Sequence, residues 1–532
     1  MFNIVPQPNE MIITGGKTCF TLTPDTTISK APYIDEFRDF VKKQFDIRIH
    51  RDNENTENAV LLKRTAEIAD DEGYRLVCRD SSIYIYGKTD AGCFYGLQTL
   101  KQLLLQGMGQ IPDMFIEDAP RYKYRGFMLD AGRYFWTVKE IKRFIDLIAL
   151  HKFNVFHWHL TEDQGWRVEM QKYPLLTEKG ARRSHTNFGI KPEEGFYTQE
   201  DIREIVEYCH SRFIKVVPEF DIPGHSTAAI ACYPNLSCFH RNLKVATHWG
   251  VKHDILCAGK ETTYEFVFDI IDEFCSLFPD EYIHIGGDEA VKMRWKLCPD
   301  CQKLMHEQHF TDEEQLQQYF MNRVAAYVKQ QGRTPVMWSY DDMKGDVQLD
   351  RDIVWQMCGA NRKNGIVEQE RKSGRKMYNS SAFPYYLDFP YGWVNLKQAY
   401  EFEPDLGENM LGIEAPLWTE YVPNTKRADY CMFPRLGAIA EAAWSAPEDR
   451  SYERFSVGLP EYFDLLNAYH VYYATMKQAM PSFVRGKLQS LWFDRRLLHW
   501  QGIHNLLDDA AVEAQAKKAR KAETSAENTD EN

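Results

Sequence analysis

The chain has 532 residues, 44% hydrophobic and 14% aromatic, which is ample for a large core and too long for a single one, because cores stop growing near ~250–300 residues. Lys and Arg total 64 against 77 Asp and Glu, a formal charge of −13 with a pI near 5.7, which argues against nucleic acid as the main partner. No apolar run approaches the ~20 residues that cross a bilayer, so no membrane partner is expected.

In chain order, residues 1–120 alternate β-like runs such as AVLLK, YRLVC and SIYIYG with the helical stretches DEFRDFVKKQF and GCFYGLQTLKQLLLQ. That pattern predicts a small α+β domain. From residue 121 the rhythm changes to short apolar strands alternating with amphipathic helices. The strands are RGFMLD, FNVFHWHL, IKVVPEFD, YIHIGG, TPVMWS, DIVWQM, KMYNSS and LGIEAPLW. Eight such strands over roughly 320 residues predict an α/β fold, a (β/α)8 barrel over 121–475, rather than a doubly wound sheet. Residues 476–507 read as a helical extension, and 508–532, ending AETSAENTDEN, as a disordered tail. The start MFNIVPQPNEM has no charged segment followed by an apolar one. The chain is therefore expected to be soluble and, as given, cytoplasmic, or secreted or periplasmic if a leader was removed.

Polar and aromatic residues crowd the strand ends: Arg125, Asp163, His225, Asp288, Glu289, Trp338, Tyr386, Asp388, Trp418 and Glu420. Indole faces stack on the C–H faces of pyranose rings, while carboxylates and Arg take hydroxyls, so a carbohydrate is the expected ligand. The adjacent pair Asp288 and Glu289 in YIHIGGDEAV is the sharpest feature. A retaining glycosidase ordinarily needs two carboxyls ~5–5.5 Å apart across the bond and an inverting one ~6.5–9.5 Å, which sequence neighbours do not readily supply. If Glu289 is the acid, Asp288 points elsewhere and can hold a group that attacks in its place, such as a 2-acetamido oxygen. An ionised Asp288 would also help to keep Glu289 protonated. On the motif alone, a polar turn that starts a helix remains open.

Six stretches carry a family resemblance: YRGFMLDAGR at 124–133, FHWHLTEDQGWR at 156–167, VPEFDIPGH at 217–225, HIGGDE at 284–289, YYLDF at 385–389 and GIEAPLWTE at 412–420. The chain resembles the family 20 glycoside hydrolases, the β-N-acetylhexosaminidases, over about residues 120–470, and residues 1–120 resemble the small domain that precedes their barrel. The resemblance implies Glu289 as general acid/base, Asp288 orienting the acetamide N–H and Tyr386 bonding its carbonyl oxygen. Arg125, Glu420 and Asp388 would hold ring hydroxyls, Trp338 and Trp418 would wall the sugar, and Asp163 and His225 would lie in the pocket floor or behind it. It implies exo-acting release of terminal β-linked N-acetylglucosamine or N-acetylgalactosamine through an oxazolinium intermediate, an exception to the two-carboxylate scheme. The implied partner is a glycan ending in such a sugar, and neither cofactor nor metal is expected.

In one place the chain departs from the family. Where the family's V-x-Q-x-W-G supplies a tryptophan, this chain reads VWQMCG, with Cys358 at that position and Trp355 three residues earlier, on the opposite side of the strand. Trp393 could compensate, form a platform beyond the first sugar, or simply pack. Two rival readings stay open. The pair His157 and His159 has the spacing of a metal-dependent barrel hydrolase, and a catalytically silent glycan-binding barrel would need the tryptophans without Glu289. The twelve cysteines are scattered, which fits reduced buried thiols. Cys298 and Cys301 form the only CxxC, and no second CxxC or paired histidine follows at finger spacing to complete a tetrahedral site, so a surface turn is expected there.

Overall fold

The structure, a computed structural model, describes residues 2–339, 348–358, 365–404, 407, 409–498, 510 and 512–514, residue 188 excepted. The first unit is a seven-stranded sheet of β1 (Glu10–Thr21), β2 (Thr27–Ile28), β3 (His50–Arg51), β4 (Ala59–Arg64), β5 (Tyr74–Arg79), β6 (Ser82–Gly87) and β7 (Gln110–Asp118), in the order β1-β7-β5-β6-β4-β2-β3. Helix α1 (Asp35–Phe45) is amphipathic. Helix α2 (Asp90–Gln106) starts at the Thr89 cap, whose side chain accepts from Ala91 N–H, and is buried continuously from Gly92 to Leu104. A helix buried on all faces, with Gln98, Lys101 and Gln102 buried among its apolar residues, must be covered on every side. The sheet covers one side of α2 and the second unit the other.

That second unit is a closed barrel of eight parallel strands: β8 (Tyr124–Asp130), β9 (Val155–His159), β10 (Lys215–Ile222), β11 (Tyr282–Gly286), β12 (Thr334–Ser339), β13 (Val354–Met357), β14 (Met377–Asn379) and β15 (Met410–Leu417). They are the eight runs read from the sequence. Helices α3 (Val138–Leu150), α4 (Gln199–His210), α5 (Glu261–Leu277) and α6 (Glu313–Gln330) fill the first four crossovers. The sixth and seventh crossovers hold α7 (Ile366–Lys372) and α8 (Leu396–Glu401), and α9 (Arg435–Trp444) follows β15. Between β12 and β13 the described residues hold no helix. Capping boxes start α3 (Thr137 with Glu140) and α4 (Thr198 with Asp201), satisfying amides that have no partner in the first turn.

Alternation along the strands stacks the barrel interior in layers. Tyr124, Val155, Val217, Val336, Val354 and Tyr378 form an apolar plug at the N-terminal end. Two residues further along, the layer is polar: His157, Glu219, His284, Trp338 and Gln356, closed by Glu414, which accepts from Tyr124 Oη (2.6 Å), Gln356 Nε2 (2.6 Å) and His157 Nδ1 (2.9 Å). The C-terminal end of the barrel is thus floored by hydrogen-bonded charge.

Arg125 belongs to the opposite end. As the second residue of β8 it lies at the barrel bottom, where Nε donates to Lys152 O (2.8 Å) and Nη1 to Tyr122 O (2.7 Å) and Glu72 Oε2 (2.7 Å). Beside it, Lys152 Nζ donates to Asp118 Oδ2 at 2.8 Å, and Trp444 Nε1 to Asp118 Oδ1 at 2.8 Å. These buried ion pairs join the N-terminal sheet to the barrel. The expected sugar contact at Arg125 is therefore corrected: the residue joins the two units.

After the barrel, α10 (Leu459–Ala468) packs back, and α11 (Phe483–Leu498) sets Phe493 against Trp393 (ring centroids 4.9 Å apart), Phe389 and Tyr421. The tail expected from 508 lies outside the described residues except 510 and 512–514. Among the described residues, no helix is long and apolar enough to cross a membrane.

Candidate active site

Strand β11 ends in a tight turn. Gly286 (φ 64°) and Gly287 (φ 106°) take the left-handed region, and Glu289 (φ 47°) follows them there. A Cβ on Gly286 would stand 1.7 Å from Asp221 Oδ1, so only glycine fits. The turn separates the two carboxylates that sequence places together: Asp288 faces inward toward Asp221 and His225, while the Glu289 side chain is 55% exposed and its Oε2 lies 3.5 Å from His225 Nε2. A non-glycine residue held at positive φ stores strain of order 1 kcal/mol, and such strain concentrates at functional positions.

Asp288, Glu289, Trp338, Cys358, Tyr386 and Val251 line a cleft of ≈ 610 Å³ at the C-terminal mouth of the barrel. Asp288 Oδ1 is buried there with no protein hydrogen-bond partner, and so is Asp388 Oδ1. Burial raises the Asp288 pKa to about 7; His225 opposes the shift and Glu289 adds to it. Burial and the neighbouring Glu420 take Asp388 to about 8. An unpartnered buried acceptor is costly unless a ligand donor meets it.

The aromatic walls stand beside these carboxylates. Trp338 and Trp418 lie 5.6 Å apart at 38°, and Tyr386 is 6.2 Å from Trp418. Trp338 is fixed from below, its Nε1 donating to Glu219 Oε1 at 2.7 Å. Arg133 Nη1 lies 3.1 Å from Asp130 Oδ2, Nη2 3.1 Å from Glu162 Oε2 and Nε 3.4 Å from Glu420 Oε1, with the guanidinium 5.0 Å from the Trp418 ring centre. Behind this wall, His225 Nδ1 meets Glu162 Oε1 at 2.7 Å, and Asp163 Oδ1 accepts from Thr227 N (2.9 Å) and Oγ1 (2.5 Å).

The structure thus brings Asp163, His225, Asp288, Glu289, Trp338, Tyr386, Asp388, Trp418 and Glu420 to one mouth, and leaves Arg125 out. The residue that faces this mouth from the same motif is Arg133, three positions beyond the end of β8. Counting to the C-terminal end of the strand would have found it. Glu162, Glu219 and Asp221 were also missed. Glu219 and Asp221 alternate inward on β10, a period-2 signal visible in VPEFD.

The other singled-out residues fall as follows. His157 pairs with Glu219 (3.1 Å) and Glu414 (2.9 Å), and His159 with Glu219 and, at 3.3 Å, Glu162. Burial would lower the His157 pKa, but these carboxylates outweigh it and raise it to about 9. With these carboxylate partners the HxH pair forms part of the hydrogen-bonded floor of the site. Trp355 is buried under Arg375 (4.6 Å), away from the cleft, while Cys358 lines the cleft and donates to Ser339 O at 3.0 Å. Trp393 packs with Phe383, Phe389 and Phe493. Cys298 and Cys301 are buried and do not form a surface turn; Cys238 and Cys257 stand beside them.

The barrel, its charged floor and its aromatic mouth define a sugar-processing (β/α)8 hydrolase. The family profile described as glycosyl hydrolase family 20, catalytic domain, matches residues 122–447, and the profile for domain 2 of the same family matches residues 1–119. The chain belongs to glycosyl hydrolase family 20. It is 37% identical over 484 residues to a beta-hexosaminidase of Porphyromonas gingivalis, covering 85% of this chain and spanning 62% of that protein's length. To a beta-hexosaminidase of Akkermansia muciniphila it is 34% identical over 405 residues, covering 72% of this chain and 81% of the relative. Among solved structures, the beta-N-acetylhexosaminidase of Bacteroides fragilis superposes with a TM-score of 0.78 at 31% identity, covering 90% of this chain and 99% of that one.

Proposed function

We propose that Asp288 and Glu289 carry out the activity that defines this family, the exo-acting, retaining release of a terminal β-linked N-acetylhexosamine from an oligosaccharide or glycoconjugate, and that the attacking group is the substrate's own amide oxygen. The sugar ring lies between Trp338 and Trp418, with its far hydroxyls toward Arg133, Asp388 and Glu420. Asp288 accepts the acetamide N–H, and Tyr386 donates to the acetamide oxygen as that oxygen turns toward C1. The oxygen attacks C1, the glycosidic bond breaks, and Glu289 gives its proton to the leaving oxygen. The Glu289 carboxylate then takes a proton from water, whose oxygen adds to C1 and reopens the oxazolinium ring, so the β configuration is kept.

The observation that carries this reading is Asp288 Oδ1, a buried acceptor without a protein donor, placed in the cleft beside an exposed carboxyl. Kinetics on aryl β-glycosides of N-acetylglucosamine, N-acetylgalactosamine and glucose test it. Turnover of the first two, with the β-anomer as first product, supports the reading. Full-speed cleavage of the glucoside, or a glycosyl ester trapped on any side chain, overturns it.

A further inference from the structure

Outside the catalytic mouth, four cysteines that sequence separates meet at one point. Cys238 follows the turn Pro234–Leu236, and Cys257 is drawn beside it by the Ser237–Leu256 bridge and by Cys257 N–H donating to Leu236 O at 2.8 Å. Cys298 and Cys301 come from the loop after β11, where Cys298 caps the helix Pro299–Glu307 and Cys301 sits in its first turn. The two segments are pressed together. Trp295 Nε1 donates to Leu256 O at 3.0 Å, and a Cβ on Gly259 would stand 2.4 Å from Cys301 N.

The sulfur separations are 3.6 Å for Cys257–Cys301, 3.7 Å for Cys257–Cys298 and 3.9 Å for Cys238–Cys301, and all four sulfurs lie within 4.8 Å of one another. A tetrahedron of thiolates at the usual zinc–sulfur distance of ~2.3 Å has edges of about 3.8 Å. Three of the cysteines are fully buried and Cys238 is 8% exposed. Four thiols packed in register with such a tetrahedron, closed to solvent, have the geometry of a structural site with no open position.

We propose that Cys238, Cys257, Cys298 and Cys301 bind one Zn²⁺ ion as a structural tetrathiolate site that ties the loop after β10 to the loop after β11. On binding, each ligating thiol loses its proton to solvent and its sulfur donates an electron pair to the metal; nothing is oxidised or reduced. The site lies at the base of both loops that furnish the acid/base. One carries His225 and, in its 239–256 excursion, Val251 of the cleft wall. The other carries Asp288 and Glu289. Zinc here holds the walls of the cleft at a fixed spacing and takes no part in the chemistry.

The test is the metal content of the full chain, purified without chelator or metal-affinity steps. About one zinc per chain is expected, retained through gel filtration in EDTA and released when p-hydroxymercuribenzoate titrates the thiols. X-ray absorption at the zinc edge should show four sulfur neighbours at ~2.3 Å. Cys257→Ser and Cys298→Ser should reduce the zinc ratio by about tenfold or more, while Cys431→Ser, a buried thiol outside the cluster, keeps it. Zinc below about 0.1 per chain in the wild-type protein, stoichiometric iron instead of zinc, nitrogen or oxygen neighbours, or disulfides pairing these four cysteines would each overturn the proposal. The wild-type measurements decide the matter even if the cysteine variants do not fold.

Discussion

His225 Nε2 stands 3.5 Å from Glu289 Oε2, while the other ring nitrogen is bonded to Glu162 at 2.7 Å. Burial opposes charge on this imidazole, but Glu162 and Asp221 outweigh it and raise its pKa well above the ordinary value. Glu289 therefore faces an imidazole whose surroundings favour its charged form, and which is in turn linked through Glu162 to Arg133 at the sugar end. His225→Asn keeps a donor but removes the charge. A fall in kcat of roughly 10–10²-fold with a displaced pH–rate profile is expected, and an unchanged profile would detach His225 from the acid/base.

Glu289→Gln keeps shape and loses the proton. The expected fall in kcat is ~10²–10⁴-fold on natural glycans and much smaller on aryl glycosides whose phenol leaves without protonation. The comparison is a Brønsted plot over phenols of graded acidity: a steeper slope in the variant supports the acid role, and parallel slopes remove it.

Asp288 must be ionised to accept an amide N–H, and its pKa in the empty site is about 7. The rate at low substrate, kcat/KM, should therefore fall as pH drops through about 7. At saturating substrate the N–H favours the carboxylate, so the limb in kcat moves to lower pH. Asp288→Asn should lose this limb together with ~10²-fold or more of its rate, and lose less on substrates without the acetamide.

The stability of the empty enzyme should show the cost of the same arrangement. Asp388 has a folded pKa of about 8 against an ordinary 3.8, so its contribution to stability is fully present below pH 3.8 and lost as pH rises through 8. Asp388→Asn should therefore melt above wild type at pH 9, by an amount on the order of 1–3 kcal/mol, with the gain shrinking toward pH 4. Its KM should rise at the same time. Equal melting temperatures at pH 9 would refute the assignment.

Arg133 and Arg125 separate by kinetics and stability. Arg133→Lys loses the fork that meets three carboxylates, and a KM increase of roughly 10–10²-fold is expected with little change in melting temperature. Arg125→Met strands Glu72 and should cost about 3–5 kcal/mol of stability while KM stays near the wild-type value.

The barrel was legible because each strand is an apolar run between amphipathic helices. The edge strand β1 and its neighbour β7 were less so. β1 exposes Ile12 and Ile13, and Pro112 interrupts β7, which blurs the alternation that marks a half-buried strand. The site was legible where a residue's placement follows from its position at a strand end, as for Asp288 and Trp418. It failed at Arg125, since a motif names a neighbourhood without saying which end of the strand each residue occupies. Cys238 and Cys257 carry no spacing signal toward Cys298, because only the folding of two loops brings them together. The divergence of Asp288 from Glu289 depends on the backbone turn at Gly286 and Gly287, which residue identity alone suggests but does not orient.

The ion pairs beneath the barrel make the N-terminal sheet indispensable to it. A chain cut near residue 120 would keep Arg125 and Lys152 but lose Glu72 and Asp118, leaving two cations facing what had been an interior. The catalytic half is therefore no portable module. Chains that begin at the barrel should aggregate, and swapping the leading domain between relatives should succeed only where both acidic partners travel with it.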